Sequence, residues 1–452
     1  MRFNRYVAFS IVASSVLCGA TNYQGWNGGS FQDGDTVTLT YDFFTPQNNV
    51  QILNTNINLT SGTLTANINV QAVAPTTPLP STGYVGSFNR GPINFGSTGA
   101  TIKFNITNGA NLVSAFQMNN TNFTADANIE ATLNGGGTLF QASGGTLNFN
   151  GNTTLSGGTV ISTNNTTLNI NQNGSKNVQI KGNITTNGGT SNIKLDGGDT
   201  INGTYSGSGN LTLDIDASTY TGSVTNNGTS TINITNGGTL QGTLTTQGQK
   251  LDLTMNNGSI TQSVNSTANT NNVTLNNNST ITGKIATNGN GTNTIKIQSG
   301  SKVDGGFDAN GTTTLTMDNG TLNGTSTITG NTFTATSINN STIGTLTSSA
   351  NTNTFTSTDS SADTLSFTGD NKITLQDTKI NNSLSLTNNS TNGTNKLTLK
   401  GNNTINTINT NSNGTTLIDF GKSQNKVSTI DMNGTGDNKI SKCSRPPPGN
   451  CF

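Results

Sequence analysis

Along this chain, apolar residues come in pairs separated by one polar residue, and the pairs recur. They begin at Ile193, Leu211, Ile232, Leu251, Val273, Ile295 and Leu315, weaken at Phe333 and Phe355, and resume at Ile373, Leu397 and Leu417. Spacing by two is the signature of a half-buried strand. Successive pairs lie 18 to 24 residues apart, with a mean of about 20. A second series follows each pair after a Gly or Asn turn: Ile201, Tyr220, Leu240, Ile260, Ile281, Val303, Leu322 and Ile343, then Ile380, Ile405 and Val427. Two series that stay in phase from Ile193 to Val427 define a repeat. A period near twenty with no helical apolar spacing predicts an all-β fold, a parallel β-helix (β-solenoid) with coils of about 20 residues.

The stretch "NNSTITGKIA" (277–286) shows what one coil contributes. Its spacing predicts a strand with Ile281 and Ile285 inward, Gly283 between them, and Thr280, Thr282 and Lys284 facing water. Each buried Ile contributes roughly 1.5 to 3 kcal/mol, too little for a coil alone, so neighbouring coils must share one core. Asn and Gly at the corners accept positive φ, and stacked Asn side chains can bond along the axis. In later coils the two inward residues stand three apart (Ile343 and Leu346, Ile405 and Ile408, Val427 and Ile430), which predicts a bend or bulge there.

The outward position inside each pair reads Lys194, Thr212, Asn233, Asp252, Thr274, Lys296, Thr316, Thr334, Thr356, Thr374 and Thr398. On this reading Asp252 lies between Asn233 and Thr274, and no carboxylate rank forms. Asp214 and Asp216 in "LTLDIDAS" share a face and form the best acidic pair, read as solvated residues beside a turn. "LDGGDTING" (195–203) is like the start of a calcium-binding nonapeptide repeat. It does not recur, so it is read as a structural turn. Asn310 in "DANGT" and Asn433 in "DMNGT" carry an acidic residue two before the Asn, as bacterial glycosylation prefers.

Composition narrows the function. Of 452 residues 29% are hydrophobic and 9% charged, with 55 Gly and Lys+Arg balanced against Asp+Glu at 20 each. Zero net charge removes the long-range attraction that a nucleic-acid partner needs. The chain has no histidine, which excludes Ser-His-Asp and Cys-His catalysis and His-bearing zinc sites. The expectation is therefore a protein that is not an enzyme, with no catalytic residues, no cofactor and no metal. An ice-binding face would need flat Thr ranks, and coil lengths of 18 to 24 residues are expected to misalign them. A polysaccharide-active β-helical enzyme is the alternative.

Residues 1–20 read as a signal peptide cleaved after Ala20: Arg2 and Arg5, an apolar run too short to span a bilayer, then Cys18 and small residues. Residues 21–130, with Trp26 and the proline-broken "QAVAPTTPLPSTG", read as an N-terminal cap and irregular early coils. Residues 131–440 carry the regular β-solenoid. The tail 441–452, "KCSRPPPGNCF" with its preceding residue, leaves the pattern; a small loop closed by a Cys443–Cys451 disulfide and a shifted reading frame both fit it.

The signal peptide, the coils such as "GGTLFQASGGTLNFNGNTTLSGGT" (136–159) and the missing catalytic set together resemble the passenger region of bacterial autotransporters, including vacuolating-cytotoxin-like ones. The resemblance covers about 20 to 440. It implies export to the bacterial cell surface or beyond through an outer-membrane translocator, and a role in adhesion or toxicity toward a host cell surface or its glycans. The twelve residues after 440 supply no translocator barrel. The serine-protease members are excluded by the lack of His and of "GDSGS", and the two-partner adhesins by the lack of an "NPNL"-like motif.

Overall fold

In the computed structural model the described residues are 114–441 apart from 173, 175, 422 and 423, together with the segments 30–31, 36–42, 58–59, 63–71, 84–95 and 100–108. The expected signal cleavage after Ala20, Trp26, Cys443 and Cys451 lie outside them. Every described element is a strand, and the strands pair in parallel. The chain is a parallel β-solenoid with a repeat near 21 residues. It forms two units, Met1–Gly228 and Thr229–Phe452.

In the first unit one coil consists of Asn210–Asp216, Thr219–Thr221 and Val224–Asn226, three strands on three faces. Each pairs with its counterpart one coil earlier: Leu213 opposite Ile193, Tyr220 opposite Ile201, Val224 opposite Tyr205. The ladder already runs through the early segments, with Thr36–Asp42 on Thr63–Gln71 and that strand on Thr101–Asn108. The core there is aromatic. Phe95, Phe104, Phe116, Phe123, Phe140 and Phe149 are all buried, with neighbouring ring centroids 4.9 to 5.8 Å apart, a range that favours tilted and edge-to-face contact.

The second unit repeats the plan in Lys250–Asn256, Ser259–Ile260 and Val264–Ser266. The strands of its longest face from Lys250–Asn256 to Phe307–Asp318 each bury three alternate residues. The second and third are apolar: Leu253 and Met255, Val273 and Leu275, Ile295 and Ile297, Leu315 and Met317. The first is mixed, with Leu251, Asn271, Asn293, Thr313 and Phe333 following one another. This corrects the row read from the sequence. A pair that starts at Leu251 or Phe333 has taken the first and second inward positions, whereas one that starts at Val273 has taken the second and third. The outward row consequently slips by two. Asp252 stands opposite Thr231 and Asn272, not Asn233 and Thr274.

Where the first inward residue is Asn, the structure shows why a polar group is tolerated. Asn271 Nδ2 donates to Asn293 Oδ1 at 2.9 Å. Asn353 donates to Asn371 at 2.9 Å and Asn371 to Asn395 at 2.7 Å, while Asn353 also donates to the corner carbonyls of Ala350 and Thr368. Buried amides persist when their bonds are made, and here the ladder satisfies both the side chains and the turn.

In "NNSTITGKIA", Ile281 and Ile285 are fully buried as expected. They do not share a strand. Thr280–Ile281 ends before a corner and Ile285–Thr287 begins after it. A Cβ on Gly283, inside that corner, would lie 2.5 Å from Ser263 Oγ and 2.7 Å from the Gln262 carbonyl, so the coil below demands a residue without one. In the later coils the two faces merge into one strand: Thr342–Ser348 runs unbroken, with Gly344 and Thr345 both outside the core between Ile343 and Leu346. Its neighbours show register shifts at Leu322/Thr325, Ala362/Thr364 and Ile380/Ser383.

Candidate functional site

The candidate site is the outward side of the long face in the second unit. The register places Thr270, Thr292, Thr312, Thr332 and Thr352 in one column. Asn272, Thr294, Thr314, Thr334 and Thr354 form the next column, two residues along each strand. Coils stack at about 4.8 Å and alternate residues stand roughly 6.7 Å apart along a strand, so the two columns make a lattice of nine Thr and one Asn. The expectation that unequal coils would misalign such a face does not hold. Differences in coil length are taken up at the corners and at bulges such as the one between Thr314 and Thr316, while the two columns stay in register from Thr270 to Thr354.

The lattice hydroxyls face outward, half-buried or exposed, and among the described residues no group takes them as hydrogen-bond partners. Outward amides elsewhere are spent on each other: Asn169 Nδ2 donates to Asn148 at 2.7 Å and Asn192 to Asn169 at 2.8 Å. Charge sits at the borders. Lys250 and Asp252 pair at 2.6 Å in the coil before Thr270, and Asn272 donates to Asp252 at 2.7 Å. Asp370 and Lys372 stand opposite Thr352 and Thr354 in the coil after. Within the two columns from Thr270 to Thr354 there is no charge.

The acidic candidates belong to the first unit. Asp214 and Asp216 lie on the outward side of Asn210–Asp216 with Ile215 inward between them, opposite Lys194 and Asp196. Neither residue is without a partner, and Lys194 Nζ is 3.7 Å from Asp196 Oδ2. Among the described residues, no group of three or more Cys, Asp or Glu side chains is placed to hold a metal. "LDGGDTING" forms a turn in which Gly197 and Gly198 have φ of 62° and 101°. Asp199 points into the core and accepts bonds from the backbone N–H of Val178 at 2.7 Å and of Asp196 at 3.0 Å. Burial pushes its carboxyl above the usual range, against the pull of those two N–H groups. Burial likewise raises the phenols of Tyr205 and Tyr220.

The two glycosylation-like positions differ. Asn310 is tied between Asn290 and Thr329, and Asp308 pairs with Lys284 at 2.8 Å. Asp431, Asn433 and Thr435 are exposed. Sequence reasoning missed the third inward position of the long face and therefore the true columns. The signal that could have found them was the recurrence of Asn two residues before an apolar pair, as in Asn271, Asn293, Asn353, Asn371 and Asn395. Comparison of the chain with protein-family models, with curated proteins and with solved structures returned no match.

Proposed function

We propose that this protein is an exported, surface-displayed or secreted passenger of the autotransporter kind. It acts as a non-catalytic adhesin or toxin-like host-interaction protein that binds a host cell surface or its glycans through a face spread over many coils. The single observation that carries the reading is the uncharged lattice from Thr270 to Thr354, whose hydroxyls have no hydrogen-bond partner among the described residues. A hydroxyl both donates and accepts. Each makes a weak contact, and repetition along successive coils adds them. The carboxylates at its borders, Asp252 and Asp370, stand at opposite ends of the lattice, several coils apart, beyond the spacing that hydrolysis of a glycosidic bond would need, and zero net charge favours neither nucleic acid nor an acidic surface.

The test is binding of the displayed chain to host cells and to a glycan panel, with Thr314→Lys and Thr334→Lys made singly and together. Single changes should weaken binding by a few-fold and the double change by more, with no turnover of any polysaccharide. Complete loss from one substitution, or no loss from both, defeats the distributed face; turnover abolished by Asp214→Asn or Asp216→Asn defeats the non-enzyme reading. A second reading, an ordered-water face that binds ice, is favoured by the same registered Thr columns. Inhibition of ice recrystallisation, lost in the double variant, would select it.

A further inference from the structure

Along its side the Thr lattice carries a lysine. Lys296 takes the outward position two residues beyond Thr294, opposite Thr274 in the coil before and Thr316 in the coil after. Coil spacing puts those two threonines about 4.8 Å to either side of it, and Thr294 stands roughly 6.7 Å back along the strand. Lys296 is exposed and has no ion pair among the described residues. The three other lysines between 250 and 302 all have one: Lys250 with Asp252 at 2.6 Å, Lys284 with Asp308 at 2.8 Å and Lys302 with Asp304 at 3.1 Å. Asp318, one coil on, stands opposite Gln298 and makes no ion pair with Lys296.

The surroundings of this lysine set it apart from an ordinary solvated one. Thr274, Thr294, Thr314 and Thr316 point outward around it, and their hydroxyls have no hydrogen-bond partner among the described residues. A hydroxyl donates to and accepts from any sugar in much the same way. In the second unit Ile440 is the one large apolar side chain exposed among the described residues, so no aromatic platform sorts sugars by stacking. The lattice alone therefore discriminates little between glycans, and a fixed charge beside it does. An ammonium is a compact charge with three donors, and its bond to a carboxylate is stronger than one between neutral groups. A single ammonium among hydroxyls suits a single anionic group. A polyanion such as nucleic acid is held by many cations at once, and the chain has no net charge to attract one.

We infer that Lys296 gives the lattice a preference for glycans that carry a carboxylated sugar, a sialic or uronic acid, within an otherwise neutral chain. The carboxylate binds at Lys296, and the sugar hydroxyls beside it meet Thr274, Thr294 and Thr316. The inference rests on the proposed glycan-binding face and names what that face selects. Because an exposed ion pair is weak, the preference amounts to about two- to fivefold. Lys296 decides which glycan is held; the Thr columns decide whether one is held at all.

The test measures affinity of the full chain for two matched pairs of immobilised glycans: sialylated poly-N-acetyllactosamine with its sialidase-treated form, and oligogalacturonate with its methyl ester. The wild-type chain should prefer the acidic member of at least one pair, and the pair that shows it identifies the acid. Raised salt should shrink that preference. Lys296→Gln should bind both members as the wild type binds the neutral one, while Lys296→Arg keeps the preference. Lys181→Gln removes an exposed lysine of the first unit that likewise has no ion pair among the described residues, and should behave as wild type. Equal wild-type binding of acid and neutral members, a preference that survives Lys296→Gln, or an equal loss in Lys181→Gln would each overturn the role of Lys296 while leaving the distributed face standing. Failure to bind any of the four glycans would bring down the binding face and this inference with it.

Discussion

At the scale of single residues, inward and outward positions differ in what they tolerate. Ile281 is fully buried and Thr282 exposed, one step apart in the same corner. Ile281→Asp places an unpaired charge in the core and should cost several kcal/mol. Thr282→Asp should cost about 0.5 kcal/mol or less. Urea unfolding of the two variants measures the difference, and equal costs would contradict the assignment. The buried amides make a second case. Asn371 donates to Asn395 and to the Phe367 and Thr387 carbonyls, so Asn371→Ala takes a donor from each of these buried acceptors and should cost about 1 to 3 kcal/mol. Thr374→Ala, outward on the same strand, should cost about 0.5 kcal/mol or less in the same assay. Ile281 was legible in the sequence because alternation marks it. Asn371 was not, because a buried Asn and a solvated one look alike until the coil above supplies its partner.

At the scale of elements, the corners carry the information that the strands lack. Alternation identified the strands of the long face, yet it ran Ile281 and Ile285 together, since a corner with one glycine preserves a spacing of four. What separates them is the coil below, where Ser263 and Gln262 occupy the space a side chain at Gly283 would need. Gly283→Ala should therefore cost about 1 to 3 kcal/mol through overpacking. Gly136, where a Cβ would meet nothing within 4 Å and φ is not positive, should accept alanine with a change of about 0.5 kcal/mol or less. Paired thermal melts of these variants check the claim. The same corners absorb coil-length differences, which is why the Thr columns stay in register although the sequence steps are unequal. The spacing of apolar pairs could not reveal this, because it counts residues along the chain and the columns are set by hydrogen bonds between coils.

At the scale of the whole molecule, the fold class followed from the repeat, because no other arrangement lets so few apolar residues per turn share a core. The aromatic column from Phe95 to Phe149 escaped notice. Its members are spread over different faces of successive coils, and only the stacking brings Phe116 against Phe140, with centroids 5.2 Å apart. The binding face was half legible: the Thr-rich row was seen, but its neighbours were misplaced by two residues. Whether that face binds as a sum of coils is the central claim, and the register supplies a clean way to ask. Thr292, Thr312 and Thr332 are equivalent positions in successive coils, so deleting 292–311 removes one coil and deleting 292–331 removes two, each joining residue 291 to an equivalent position at the start of the long face. The most direct measurement is the affinity of the displayed chain for host cells and glycans across this series, alongside the thermal midpoint of each variant. The account predicts that both deletions fold and that affinity falls stepwise with each coil removed. Affinity that vanishes with the first coil while the variant remains folded, or that is unchanged after the second, would contradict it.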